Sequence, residues 1–573
     1  MATILPLFPR FIARSRVVLA LCCAAALCVG LAHAQSCVPG AEESPGGNDL
    51  VLRSIPLPTD TPGDLAWDGS ALWIADWQRG ELLRFDPDKE QVLERVTAPC
   101  YRPRGLAWGN GLLYVADDFE GAVYVFDPKT GRTITRYLTP HKGGAGLAWD
   151  GEALWLAEAV DKTLQRLIPG DGTALTYFDS PQEDPGGLAF DGTYLWVTQR
   201  MQDRIYMVDP RSGKAITSFD APGPYPCGLA PAPNGRLWVA DSEKGTLSLC
   251  APREGRGYQT SDWREAEVRM TYRIENQGPG EIVDAVIHFA VPEPELENQV
   301  ILDPLTYAPE APELHADQWK QQVATFRRAR IAPGERFEVG YRTRIKLGNL
   351  VYTVIPEKVG GLDKIPADIR RDYTGDADRF QVKVPLVSET SARVVGDEKN
   401  PYWIARKIYD WVIETLEYDR VGGWDVPETL IKRKTGSCSE YTFLFIGLCR
   451  AAGLPARYEG SGALRGDDAC VDDVYHRWAE VYLPGYGWVP FDPSGGDRPT
   501  PGGQADYIGR VGNRLFVTTH SGGGSTALGW NYNANASYSL NGRCAITEDA
   551  WVAWRRAKEE GQAFIPSGAH LAP

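Results

Sequence analysis

The chain has 573 residues, 43% of them hydrophobic and 24% charged, with a formal net charge of −15. This composition supports buried cores in three or four domains and excludes a disordered chain. The acidic balance argues against nucleic acid or an anionic membrane as the main partner, and is compatible with neutral or basic peptides.

The chain opens on a processing segment. Arg10, Arg14 and Arg16 precede an apolar run from Val17 to Gly30, and Ala32-His33-Ala34 forms an A-x-A signal. The pattern predicts a signal peptide over 1–34 with cleavage near Ala34/Gln35, and a secreted or periplasmic protein. Losing that segment, with its three Arg and no acid, takes the net charge from −15 to −18. No later stretch of about 18 apolar residues follows, so no integral membrane segment is expected after signal removal. Eight Cys remain after the signal. Cys449 is expected to be free in an apolar helix, and Cys470–Cys544 and Cys37–Cys250 are candidate pairs. No CxxC occurs, and no metal or cofactor is expected.

Next comes a repeat. Leu-Ala recurs at 65–66, 106–107, 147–148, 188–189 and 229–230, a spacing of 41 each time. Trp73, Tyr114, Trp155, Trp196 and Trp238 share one position in the unit, and a Pro stands seven residues before each Leu. Each unit reads as four short strands split by Asp-Gly, Asp-Pro or Gly turns. Such a sheet cannot bury both faces alone, so neighbours must stack. The unit resembles NHL- or YVTN-type propellers over about 50–250. The fifth unit lacks a fourth strand, and Leu50–Pro58 aligns with the missing one. That predicts five blades closed by the N-terminal strand, with a sixth irregular blade as the alternative. The recurrent acids Asp76, Asp117 and Asp241 suit turn capping better than metal binding.

From about 260 the pattern becomes alternating. Val268, Met270, Tyr272 and Ile274 interleave with charged residues, as do Phe337, Val339, Tyr341 and Ile345. Period two predicts half-buried strands, read as a β-sandwich over 260–390 with a turn at 276–280. His288 and His315 read as packing residues. Asn400-Pro401 then starts a helix.

The segment TGSCSEYTFLFIGLCRAAGLPARYEG (435–460) carries the chemistry. Ser437-Cys438-Ser439-Glu440 is a capping box that places Cys438 at the first helical position, the positive end of the helix dipole. That placement lowers a thiol pKa and makes Cys438 a candidate nucleophile. His476 opens a strand, and a turn at 484–487 returns the chain to Asp492. Two registers set His476 opposite 493 or 495, and Pro490 is a candidate bulge. A nucleophile, base and orienter follow. The motifs G-x-C-x-E…R-A-A-G-L-P-A-R, H-x-W-x-E-V-Y and G-W-V-P-F-D-P-S resemble the transglutaminase-like superfamily over about 395–500. The resemblance implies Cys438 as nucleophile, His476 as base and acid, and Asp492 as orienter. Trp424 or Tyr418 is a candidate oxyanion side chain. Asp472 and Asp473 lie in a polar loop that could shape the cleft, His520 reads as structural, and Arg450 and Arg457 as ion partners.

The whole reads as multidomain: an all-β propeller of five blades at 48–252, a β-sandwich at 260–390, and an α+β transglutaminase-like (papain-like) core at 395–545. A C-terminal helix and tail fill 546–573. The expected activity is attack on an amide or peptide bond through a thioacyl intermediate, ending in hydrolysis or transamidation. The expected partner is a protein or peptide, plausibly of the cell envelope. The alternative is a non-catalytic binding protein with a vestigial core.

Overall fold

A computed structural model of the chain describes residues 50–253, 257–420 and 424–557. The expected signal segment, Cys37 and residues 558–573 lie outside the described residues.

The N-terminal region is propeller-like. Residues 51–250 form five four-stranded antiparallel sheets. In four of them the strands follow chain order. The fifth joins both ends of the region: β1 (Val51–Pro56) pairs with β2 (Thr246–Cys250), beside 236–241 and 226–232. The first strands of the repeats, such as Pro62–Trp67 and Pro103–Gly109, touch their neighbours in cyclic order, and Pro226–Ala232 returns to Pro62–Trp67. The repeated aromatics fill the gaps between sheets. Trp73, Tyr114, Trp155, Trp196 and Trp238 are all buried, and Tyr114 stacks on Trp149 of the next sheet at 5.3 Å. Asp76, Asp117 and Asp241 accept hydrogen bonds from loop backbone or Thr hydroxyls, which is turn chemistry.

The axis is held by a residue that the repeat analysis passed over. Before the repeated Leu stand Gly105, Gly146, Gly187 and Gly228, but Asp64 in the first unit. A Cβ at Gly146 would lie 2.4 Å from the Gly186 carbonyl, and one at Gly228 2.6 Å from that of Gly63. The axis therefore admits one side chain. Asp64, fully buried, accepts the backbone N–H of Leu229 and Leu147 at 2.9 Å each and of Leu106 at 3.4 Å. One carboxylate thus ties three other sheets together. The remaining axial cavity is about 40 Å³, roughly room for one water.

The middle region departs from the expected sandwich of two sheets. β3 (Tyr258–Ala290) runs unbroken through 276–280. β4 (Gln322–Ile331) pairs with its second half and β5 (Arg336–Tyr352) with its first. The expected turn is instead a bend. The Asn276 amide donates to the carbonyls of Gly280 and Ile331 at 2.9 Å, and its oxygen accepts the Gly278 N–H at 2.8 Å. Side-chain bonds replace ladder bonds there, so the strand bends without ending. The Tyr272 and Phe289 rings lie 6.4 Å apart. A straight strand would separate them by about 55 Å. One sheet therefore folds over itself around Val268, Ile274, Ile282, Phe289 and Phe337. Helices at Ala367–Tyr373 and Pro385–Val395 occupy the end of the span expected to be sandwich.

The C-terminus also differs. Residues 546–556, expected to begin a helix, are strand. Ala534–Arg556 is one strand that pairs along β3 from Phe289↔Ala534 to Ala266↔Arg556. It covers an edge that would otherwise leave backbone groups unpaired. Val552 and Trp554 are buried, with the period of two that a strand demands.

The α+β region holds α1 (Pro401–Thr415) and α2 (Cys438–Ala451). Asn400 caps α1, accepting the Tyr402 N–H at 2.9 Å. The sheet contains β6 (Ala456–Ala463), β7 (His476–Leu483), β8 (Gly487–Phe491) and β9 (Leu515–Ser521) in the order β8-β7-β6-β9. α2 packs against α1, β6 and β7.

Asp64→Ala should leave three buried N–H donors without an acceptor, at about 1–3 kcal/mol for each. The unfolding transition, followed by tryptophan fluorescence, should move well below wild type. Asp88→Ala, at an exposed ion pair, should shift it by no more than about 0.5 kcal/mol. Equal shifts for the two variants would contradict the axial role.

Candidate active site

The site starts at the first turn of α2. The Glu440 carboxylate accepts the Ser437 N–H at 2.7 Å, the half of the expected capping box that reaches back to the N-cap. It also meets Arg433 at 2.9 Å and is fully buried. The helix start is therefore fixed, with Cys438 at its first residue. Cys438 is only 8% exposed, yet it lines an open cleft of about 660 Å³. Tyr418, Trp424, Asp473, Tyr475 and Tyr532 line the cleft. Tyr272 of β3 and Glu548 and Asp549 of the C-terminal strand line it as well.

The hairpin β7–β8 brings the base to its orienter. Leu483 pairs with Gly487 across a three-residue loop, with Gly485 and Gly487 at φ +96° and +84°. This register falls between the two expected ones and extrapolates His476 to 494. Pro490 sits opposite Glu480 in an unbroken ladder, so it makes no bulge. Asp492 follows the last residue of β8, and its Oδ2 lies 2.7 Å from His476 Nε2. Its Oδ1 accepts the Ser494 hydroxyl and the Gly495 N–H, each at 2.9 Å. A Cβ at Gly495 would lie 2.6 Å from Asp492 Oδ2 and 2.3 Å from the Tyr507 ring, so only glycine fits beside the carboxylate.

The electrostatics follow from this geometry. Burial is the largest influence on Cys438 and opposes ionisation. The hydrogen bond and charge of His476, with the Arg477 backbone N–H, outweigh it and hold the thiol below its ordinary range. Burial likewise works against a charged His476, but Asp492 and Cys438 raise it well above the usual histidine range. Asp492 is pushed up by burial and pulled lower still by His476, Gly495 and Ser494. With Nε2 committed to Asp492, Nδ1 is the ring nitrogen left for Cys438. The arrangement supports a thiolate–imidazolium pair.

The other expected residues divide. Trp424 and Tyr418 both line the cleft. Asp473 lines it too, whereas Asp472 is buried, accepting the Ala463 N–H at 2.7 Å and pairing with Arg465 at 2.8 Å. His520 is structural: Nε2 lies 2.5 Å from Glu459 and Nδ1 3.3 Å from Glu293. Arg457 pairs with Glu480 at 2.5 Å. Arg450 is buried and spends its guanidinium on the carbonyls of Ala456 and Gly522 rather than on an acid. His288 meets Thr325 at 2.8 Å. Glu459, Glu480 and His520 are the described residues grouped closely enough to hold a metal, with donor atoms within 4.8 Å. They sit in a cavity of about 670 Å³ that does not include Cys438, and each already has a protein partner.

All described cysteines are free. The expected pair Cys470–Cys544 does not form. Cys470 pairs across from Trp554 and Cys544 across from Pro279, ten residues apart along the same strand. Cys449 is buried and free, and Cys250 is buried. The cleft residues Tyr272, Tyr532, Glu548 and Asp549 carried no local signal in the sequence, because the fold brings them in from distant strands.

Residues 388–493 match the transglutaminase-like superfamily, so the chain carries a transglutaminase-like domain there. An uncharacterized protein of Haemophilus influenzae is 31% identical over 157 residues, 22% of this chain and 42% of that protein. The uncharacterized protein YebA of Bacillus subtilis is 35% identical over 81 residues, 12% of this chain and 11% of that protein. The chain spans less than half the length of these relatives. Among solved structures, a Cytophaga hutchinsonii protein described as a candidate cysteine protease aligns at 17% identity with a TM-score of 0.37. The alignment covers 52% of this chain and all of that one.

Asp492→Asn tests the pair. Cys438 is held low, so its thiolate persists into mild acid and is lost as pH falls through the folded pKa. Without the Asp492 charge, His476 loses protons more readily and the thiol pKa rises. Iodoacetamide labelling of Cys438 at pH 6 should slow by about tenfold for each unit of rise and recover in base. Unchanged labelling at pH 6 would contradict the pairing.

Proposed function

We propose that this chain is a thiol enzyme that attacks an amide or peptide carbonyl through Cys438. The observation that carries the reading is the 2.7 Å His476–Asp492 bond beside a cysteine that begins a capped helix and faces an open cleft. The thiolate adds to the carbonyl carbon, and negative charge moves to the oxygen. The Cys438 N–H, at the first helical position, has no carbonyl to bond within the helix and is suited to meet that charge. His476 gives its proton to the departing amine, leaving a thioacyl enzyme. It then takes a proton from water or from an incoming amine as that nucleophile attacks. Asp492 holds the ring and balances its charge. Hydrolysis is the favoured outcome, because the cleft is open and rich in polar side chains, and water reaches it.

The five sheets are read as a five-bladed propeller closed by β1, which recognises a substrate protein or partner. The axis is filled by Asp64, so recognition falls to the loops rather than to a channel. The sequence of residues 1–34 supports an enzyme that works outside the cytoplasm on an envelope or secreted protein.

A library of Gln-containing peptides, incubated with a labelled amine, tests the reaction. Wild type should release ammonia or cleave peptide with little amine incorporated, and Cys438→Ala should lose at least about a thousandfold in rate. Incorporation exceeding release would make it a transferase. Equal rates for wild type and Cys438→Ala would leave the binding-protein reading.

A further inference from the structure

Arg477 follows the base in sequence, and its side chain is fully buried. Its guanidinium carbon lies 4.1 Å from the centre of the Tyr532 ring, 4.6 Å from Tyr458, 4.7 Å from Phe443 and 5.2 Å from Trp424. One nitrogen, Nη2, donates to the Trp530 carbonyl at 2.6 Å. Nε and Nη1 are buried with no hydrogen-bond partner among the described residues. Among the described residues no carboxylate pairs with it.

A buried guanidinium without an anion is costly, and ring faces recover only part of that cost. Something nearby must supply negative charge. The rings of Trp424 and Tyr532 wall both Arg477 and the cleft that holds Cys438. The first turn of α2 is bonded to the same stretch of strand: the Thr442 hydroxyl is within reach of the Cys438 carbonyl at 2.8 Å and the Arg477 carbonyl at 3.2 Å. The other charged groups around the thiol are accounted for. His476 is bonded to Asp492, and Arg465 to Asp472. Asp473 lies on the open wall of the cleft, and Tyr418 and Tyr532 are neutral phenols there. Arg420 stands at the rim of the same cleft.

We propose that Arg477 is a positioning residue, a caged and otherwise unpaired guanidinium whose counter-ion is the Cys438 thiolate. The thiol therefore has Arg477 as a cationic support besides His476. His476 exchanges its proton during the reaction, whereas Arg477 keeps its charge throughout. While His476 lacks its proton in the thioacyl enzyme, Arg477 still presents a positive charge toward the sulfur that later departs as thiolate. Mutual attraction agrees with this. Burial works against the Arg477 charge while the Cys438 charge supports it, and the Arg477 charge in turn helps to hold the thiol low.

The inference rests on Cys438 acting as a thiolate nucleophile, and the test separates the two. Iodoacetamide rates at Cys438 are measured from pH 5 to 10 in wild type, Arg477→Gln and Arg477→Lys. Gln keeps a planar group and a donor for Trp530 without charge, and Lys keeps charge without the plane. Arg477→Met replaces Gln if that variant does not fold. The Gln rate at pH 6 should fall about tenfold, with the plateau in base unchanged, which is a one-unit rise in thiol pKa. The Lys rate should stay within about threefold of wild type. A Gln variant as fast as wild type, a Lys variant as slow as Gln, or a lowered plateau would overturn the proposal. Slow wild-type labelling at pH 6 would instead sink the thiol-enzyme reading itself.

Discussion

A thiolate that is itself buried, on the wall of an open cleft, is the constraint from which the rest of the site follows. Burial at the start of α2 favours the neutral thiol, and that is the strongest single influence on Cys438. Every neighbouring device works against it. The capping carboxylate of Glu440 fixes the helix end, the β7–β8 hairpin delivers His476, and Asp492 keeps that ring charged. Asp492 in turn depends on Ser494, the Gly495 N–H and the absence of a side chain at 495. The chain of dependence runs from Gly495 to Cys438.

The same site explains why three regions share one chain. Helix α2 and the β7–β8 hairpin supply Cys438, His476 and Asp492. Part of the cleft lining comes from β3 and the C-terminal strand, so the cleft is complete only when the folded-over sheet is in place. The propeller-like region is joined to the catalytic one through contacts such as Arg204–Asp506 at 3.0 Å and the Tyr402 hydroxyl on the Ile216 carbonyl. A substrate held by its loops would be presented from a fixed frame. Asp64 keeps that frame closed at its axis.

Local chemistry was legible in the sequence and long-range partnership was not. The capping box placed Cys438 at a helix start, and the ordered motifs marked His476 and Asp492, which the structure brings within 2.7 Å of each other. The hairpin register escaped by one residue because positive φ at Gly485 and Gly487 set a three-residue loop. The bend at Asn276 looked like a turn because its residues are turn formers. Only the pairing of β4 and β5 along a single strand reveals the difference. The strand over 546–556 was hidden since its partner lies more than 250 residues earlier. Asp64 broke a column of glycines, a signal that was present but unread. Arg477 gave no sign beyond its place after His476, since its cage is assembled from four separate segments.

The central claim is that Cys438 is ionised near neutrality in the resting protein. Thiolate absorbance near 240 nm, taken as the difference between wild type and Cys438→Ser across a pH titration, measures it directly. The account predicts a difference signal already present at pH 6, with its midpoint below the ordinary thiol value of about 8.5. A signal that emerges only at or above that value would contradict it.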